Sequence, residues 1–396
     1  MADGQCFVRD VLDRLVVVKL NGGLGTTMGC EGPKSFIKVK NNLSFLDIAL
    51  QQHKVTNIKF ICKPINNVFL LLISYDINLV NKWFQLFNEI NGCNVPLYLM
   101  NSFYTDEATL KVLNQQKNVW YPPGHGNIFQ SLYYSGTLDQ LLNDGRDIMF
   151  ISNIDNTGAT LNLSIAQFMC DNKTDYIMEC TEKTQSDIKG GTLIDIDGQL
   201  MHLEIPQVPP EHIDEFCSIR TFKIFNTNNI WVNLNAVKQR LSSIRSEIIV
   251  NRKTLSSGRD VIQLETSVGG AICNFPNAFC IHVNRDRFLP VKRTEDLLAL
   301  SSLFYSVDPS RSLCFPNCRP TPIIKLGKFF EKVADFHARF PYYPNMSCLK
   351  SLCIVGDILF EKNITLKGNV SIINKTGKQC IISSGSILED EEKIFE

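Results

Sequence analysis

A chain of 396 residues with 40 basic and 40 acidic side chains carries no net charge, so its overall field favours neither nucleic acid nor an anionic membrane. At 44% hydrophobic and 20% charged, it has the composition of a soluble globular protein long enough for a large core and a second, smaller unit. Any anionic ligand has to be held by local charge.

The opening stretch "MADGQCFVRDVLDRL" carries early acids and no apolar run of signal-peptide length. "NNVFLLLISYDINL", the most apolar run, is too short to span a bilayer. Fourteen cysteines are scattered without the close spacing of a disulfide-rich domain, and Cys314 and Cys318 have no histidine nearby to complete a zinc site. Free thiols in a reducing cytoplasm are the expectation, with the sequon at Asn162 of no consequence.

In chain order, Leu15–Leu20 reads as a fully buried strand. Ser44 is placed to cap a helix through "SFLDIALQQH", with Asp47 near its positive end. "VPLYLM", "DIMFISNI" and "DYIMEC" are further buried strands separated by helix-compatible stretches. Such alternation predicts an α/β sheet with helices on both faces, which binds ligands at the carboxyl ends of its strands. "LIDIDGQLMHLEI" departs from the rhythm and predicts a hairpin turning at Asp197-Gly198. In the tail Ile358, Ile364 and Val370 recur every six residues, shadowed by Phe360, Leu366 and Ile372. A six-residue period marks a parallel β-helix, and the tail holds no cluster of reactive side chains. Structural or assembly work is expected of it.

The densest pattern is "LVVVKLNGGLGTTMGCEGPKSF", Leu15 to Phe36. Glycines after a buried strand let backbone N–H groups approach phosphate oxygens without Cβ obstruction. Neither familiar template fits. The dinucleotide fingerprint fails at Met28, and the P-loop fails because Pro33 separates Gly32 from Lys34. What remains is a loop that hugs an anion and presents one lysine, Lys34, on an approach fixed by proline. A glycine-rich turn with a surface lysine is the plain alternative.

"KLNGGLGTTMGCEGPKS" resembles the signature of the eukaryotic UDP-glucose pyrophosphorylase family, the UTP–glucose-1-phosphate uridylyltransferases. The likeness continues in order through "LMNSFYTDEAT", "WYPPGHGNI", "SNIDNTGAT", "IKGGTLIDIDGQLMHLEIPQVP", "FKIFNTNNIWVNL", "VIQLET" and "RFLPVKRTEDLL". It implies a GT-A-like, Rossmann-like nucleotidyltransferase core over residues 1–340 and a short C-terminal left-handed parallel β-helix over 341–396. It also implies transfer of uridylyl from UTP to glucose-1-phosphate with Mg²⁺, in the cytoplasm, and a tail able to self-associate.

Residue by residue, the resemblance implies that Leu20, Gly22, Gly23, Met100, Gly124 and Asn153 bind the nucleotide. Lys34 faces the UTP phosphates, and Lys292 of "FLPVK" bridges the phosphates of both substrates. Read from its neighbours alone, Lys292 is a surface lysine before a helix capped by Thr294. Asp155, closing the "SNIDN" strand, is the implied Mg²⁺ ligand; a cap for the helix after "NTGAT" is the lesser, plain alternative. His125, Lys189, Gly191, Glu204, Asn226 and Asn228 fall to the sugar and its phosphate. Departures concern the base: only about twenty residues separate "MNSF" from "WYPPGHG", where the family carries its uracil-reading glutamine. Gln115 or Gln116 is a replacement, and Asn127 stands in place of the usual acid. Rival readings are a pyrophosphorylase for another sugar-1-phosphate, such as an N-acetylhexosamine-1-phosphate, and a nucleotide-sensing protein that keeps the fold without catalysis.

Overall fold

The computed structural model describes residues 10–23, 25, 28–30, 32–40, 42–53, 88, 93–102, 105, 125–184, 187–245, 248–254, 260–302, 306–307, 313–314 and 322–396. The chain divides into two units. One takes Met1–Gly22, Leu50–Ile154 and Ala159–Phe288; the other takes Gly23–Ala49, Asp155–Gly158 and Leu289–Glu396.

The first unit is built on a six-stranded sheet. Across it the strands run Ala278–His282, Tyr176–Glu182, Ile224–Asn233, Ile148–Asn153, Leu15–Asn21 and Leu97–Asn101. Leu15–Asn21 lies parallel to both of its neighbours, and only Ile224–Asn233 runs against the strands beside it. From the Leu15–Asn21 strand the chain reaches first its neighbour on one side and later its neighbour on the other. That reversal of direction is where open α/β sheets hold their ligands.

Every residue of Leu15–Asn21 is buried, as expected when both faces of a sheet are covered. Side chains alternate between the faces. Val16, Val18 and Leu20 pack with Phe129, Leu132, Leu138, Leu141 and Val237 from three helices, Ile128–Tyr134, Thr137–Asn143 and Leu234–Arg240. The opposite face is partly polar. There Lys19 donates to Ser152 Oγ at 2.9 Å and the Ala159 carbonyl at 2.7 Å, over the ring of Phe150, which lies 4.4 Å from the Trp231 ring at a tilt of 31°. Beside Trp231, the buried Glu179 carboxylate accepts from Trp231 Nε1, Asn229 Nδ2 and both Nε and Nη2 of Arg287. A buried ion pair is tolerable only when satisfied in this way.

The anticipated hairpin is present: Thr192–Ile196 pairs antiparallel with Gln199–Leu203. Asp197 and Gly198 both take positive φ, 52° and 83°, as the two-residue turn that matches strand twist requires.

The second unit has its own core, including Met28, Ile37, Phe45, Leu297, Phe336 and Phe360. Ser44 and Asp47 exchange bonds at the start of the Phe45–His53 helix: Ser44 N donates to Asp47 Oδ2 at 2.8 Å, and Asp47 N to Ser44 Oγ at 3.1 Å. Towards its end, Ile323–Leu326, Asn345–Val355, Thr365–Asn374 and Ile387–Glu389 pair in parallel, and Glu392–Phe395 also joins Thr365–Asn374. Ile358–Phe360 pairs in parallel with Cys380–Ile382. All six residues of the six-residue period are buried in this unit's core. Among the described residues, no helix is long and apolar enough to cross a membrane.

Candidate active site

In the first unit, the carboxyl ends of three strands bring together residues drawn from distant motifs. Leu20 sits in register with Met100 on one side and Asn153 on the other. One step on, Asn21 Nδ2 donates to Asn101 Oδ1 at 2.7 Å. The Leu20 carbonyl accepts from Ile154 N at 3.1 Å, which holds the end of the Asn153 strand against the start of the glycine stretch. Gly22 follows directly, with Ser102 beside it.

A chain of asparagines leads away from this row. Asn153 Oδ1 accepts from Asn228 Nδ2 at 2.9 Å. Asn228 lies in the left-handed region, φ 57°, a conformation asparagine tolerates better than most residues. Its N–H donates to Asn226 Oδ1 at 2.7 Å, at a place where the pairing of Tyr176–Glu182 with Ile224–Asn233 slips by a bulge. Asn226 Nδ2 meets His202 Nε2 at 2.9 Å, and Glu204 Oε1 lies 3.4 Å from the same nitrogen. Gly191 backs onto this group so closely that a Cβ there would come within 2.5 Å of His202 Nε2 and 2.6 Å of Glu204 Oε1. Only glycine fits, a close-approach requirement independent of backbone angle.

His125 touches the same region by way of its ring. Its Nδ1 accepts from Val268 N at 3.1 Å, and the next residue, Gly269, faces both His202 Nδ1 and the Asn226 amide. Burial lowers the pKa of each imidazole to about 4, helped for His202 by the nearby His125. Both rings are therefore neutral at physiological pH. Below pH 6.5 the unfolded chain takes up protons at these rings and the folded chain does not, so stability falls on acidification until about pH 4. For His202, 2% exposed, the loss is about 2 kcal/mol at pH 5. We expect the melting temperature to drop between pH 7 and 5, and His202→Leu to flatten that slope; an unchanged slope in the variant would mean His202 titrates normally.

In the second unit the rest of the glycine stretch leads to Lys34. Met28 N donates to the Gly25 carbonyl at 2.9 Å, with Gly25 at φ 62°, and Lys34 N donates to the Gly23 carbonyl at 2.9 Å. The loop thus folds back so that Lys34 begins a short 3-10 turn directly after Pro33. Lys34 Nζ then reaches Asp155 Oδ2 at 2.5 Å, with both side chains largely buried. Beside Asp155, Asn156 Oδ1 accepts from Leu289 N at 2.8 Å, tying the aspartate's turn to the segment that leads to Lys292.

Lys292, exposed, stands just before the Thr294–Ser301 helix. The cap there is Arg293 rather than Thr294: Asp296 Oδ2 accepts from the N–H groups of Lys292 and Arg293 at 2.8 and 2.9 Å, drawing both into the first turn. Burial raises the Asp296 pKa, opposed by those two bonds and by the charges of Lys292 and Lys34. Two lysines far apart in the chain therefore act on one carboxylate. The arrangement offers two cations and a carboxylate, a combination that suits phosphate and a hard divalent ion.

One anticipated residue, Lys189, does not join these groups. Lys189 is exposed on a turn closed by Gly190 N and the Asp187 carbonyl. Gly124 lies outside the described residues, as do Gln115 and Gln116. Three residues escaped the sequence: His202, Asn156 and Asp296. Asp296 carried a signal, an acid three places after Arg293. His202 carried none, being a single histidine in an alternating strand.

A family model described as UTP–glucose-1-phosphate uridylyltransferase matches residues 2–119 and 113–367. A Schizosaccharomyces pombe protein named as a probable UTP–glucose-1-phosphate uridylyltransferase is 42% identical over 422 residues, covering 96% of this chain and 77% of the relative. The Solanum tuberosum enzyme of that name is 41% identical over 430 residues, covering 99% and 83%. Among solved structures, UDP-glucose phosphorylase from Trypanosoma brucei matches with a TM-score of 0.78 at 33% identity, over 98% of this chain and 86% of that one. UDP-glucose pyrophosphorylase from Leishmania major, solved in open and closed structures, matches with a TM-score of 0.80 at 28% identity, over 98% and 87%.

Proposed function

Because the chain belongs to the UTP–glucose-1-phosphate uridylyltransferase family, we propose that it transfers uridylyl from UTP to glucose-1-phosphate, giving UDP-glucose and pyrophosphate. What supports this most is the ion pair of Lys34 with Asp155, with the charges of Lys34 and Lys292 both felt at Asp296. A phosphate oxygen of glucose-1-phosphate, already anionic near neutral pH, attacks the α-phosphorus of UTP. The bond from that phosphorus to the β-phosphate oxygen breaks, and no proton has to move. Transfers of this kind ask the protein for alignment and charge neutralisation. Lys34 faces the UTP phosphates and Lys292 the phosphates of both substrates.

Asp155 is the residue to hold Mg²⁺. Among the described residues, no three His, Cys, Asp or Glu side chains gather as a cage. One carboxylate completed by phosphate oxygens and water is how Mg²⁺ is usually bound, and a largely buried Asp155 beside a lysine fits that role. When bound, the ion neutralises charge on the phosphate oxygens. Leu20, Gly22, Gly23, Met100, Gly124 and Asn153 serve the nucleotide; His125, Lys189, Gly191, Glu204, Asn226 and Asn228 serve the sugar and its phosphate.

We assign residues 1–340 to catalysis and residues 341–396 to a left-handed parallel β-helix. The parallel pairing and inward six-residue period support that division, and exposed Val355, Ile381 and Ile387 support self-association through the tail. Free thiols, ten of them among the described residues, support a cytoplasmic setting. The test is to mix the protein with UTP, Mg²⁺ and a panel of sugar-1-phosphates and follow pyrophosphate. Glucose-1-phosphate should release it fastest; tight UTP binding with no release from any sugar phosphate would mean a nucleotide-sensing protein instead.

A further inference from the structure

Asn226 can be oriented without ambiguity. The N–H of Asn228 only donates, so the atom facing it at 2.7 Å is Asn226 Oδ1. The amide NH₂ must then face His202 Nε2 at 2.9 Å, and that nitrogen must accept. The proton of the neutral ring consequently sits on Nδ1. That atom is buried and has no hydrogen-bond partner among the described residues. A ring bearing its proton on Nε2 would instead aim it at the Glu204 carboxylate, 3.4 Å away, and would set N–H against N–H at Asn226. The fold keeps an orphan donor on Nδ1 in order to leave Nε2 free to accept.

We propose that His202 is a positioning residue for the sugar-phosphate side of the reaction. Its acceptor nitrogen fixes the Asn226 amide, whose oxygen pins the left-handed Asn228, whose own amide reaches Asn153. Four side chains thereby form one directed relay from the core to the carboxyl end of the central strands. Glu204 from the end of the same strand and His125 from a neighbouring 3-10 turn are the titratable groups that face it. The relay's consequence for catalysis rests on the roles proposed above for Asn226 and Asn228.

The test compares wild type with His202→Leu and His202→Gln. Leucine removes the acceptor, whereas glutamine returns an acceptor oxygen of similar reach. His202→Leu should raise KM for glucose-1-phosphate about tenfold, the equivalent of one lost hydrogen bond, with a smaller rise in KM for UTP, which the relay touches only at its far end through Asn153. His202→Gln should recover most of that loss. Equal shifts in both KM values, or no recovery with glutamine, would reduce His202 to a packing residue and overturn the proposal. Nitrogen-15 NMR of the histidine rings reads the tautomer directly, without any turnover. A proton on Nδ1 of His202 supports the relay, and a proton on Nε2 overturns it. A wild type inactive with every sugar phosphate would instead defeat the catalytic reading, and the NMR result would still decide the relay.

Discussion

Lys34→Ala should remain folded, by circular dichroism and thermal melting, while its turnover falls by about 10²–10³-fold or more. That is the usual cost of removing one preorganised charge from a transfer whose transition state is stabilised electrostatically. Three features fix the ammonium in place: Pro33 before it, the Gly23 carbonyl bound by its own N–H, and Asp155 at the tip of its side chain. Lys34→Arg should rescue little. A planar fork is longer and bulkier than an ammonium, and a Cβ at Gly25 would already lie 3.4 Å from this lysine's Cγ. The decisive quantity is kcat for pyrophosphate release at saturating substrates. Wild-type turnover in Lys34→Ala would remove this residue from the mechanism.

Asp155→Asn is the second large effect. The amide keeps the shape but loses the charge that answers Lys34 and would hold the divalent ion. Turnover should drop by about 10²–10³-fold, in the range typical for a lost electrostatic group, and the Mg²⁺ concentration giving half-maximal rate should rise at least about tenfold. Wild type should lose activity on chelation with EDTA and regain it with added Mg²⁺. If Asp155→Asn turned slowly at an unaltered Mg²⁺ dependence, the aspartate would be orienting Lys34 rather than holding metal. Titrating the rate against Mg²⁺ for both proteins separates these cases.

The sequence made some of this legible and hid the rest for physical reasons. Strands buried on both faces are short apolar runs, so Leu15–Leu20, "VPLYLM", "DIMFISNI" and "DYIMEC" stood out, and each lies in the six-stranded sheet. The hairpin at Asp197-Gly198 was readable because positive φ at two successive residues demands particular side chains. The run of Ile224–Asn233 against its neighbours was not readable, since strand direction depends on connections and not on local pattern. Ion pairing followed the same divide. Lys34 was marked by its proline and glycines, whereas its partnership with Asp155 is a tertiary fact. Lys292 read as an ordinary surface lysine, and only the common neighbour Asp296 brings it into the same field as Lys34. His202 is the clearest omission, because one buried histidine in an alternating strand has no signature until Asn226 and Asn228 show what it must accept.

Two lysines and a carboxylate acting on a single triphosphate form the core of the account, and a crystal of the protein grown with UTP and Mn²⁺ in place of Mg²⁺ tests it most directly. Anomalous scattering should place the metal against Asp155, with Nζ of Lys34 and of Lys292 within hydrogen-bonding distance, about 2.7–3.2 Å, of phosphate oxygens. A metal peak away from Asp155, with both lysines turned from the phosphates, would contradict it.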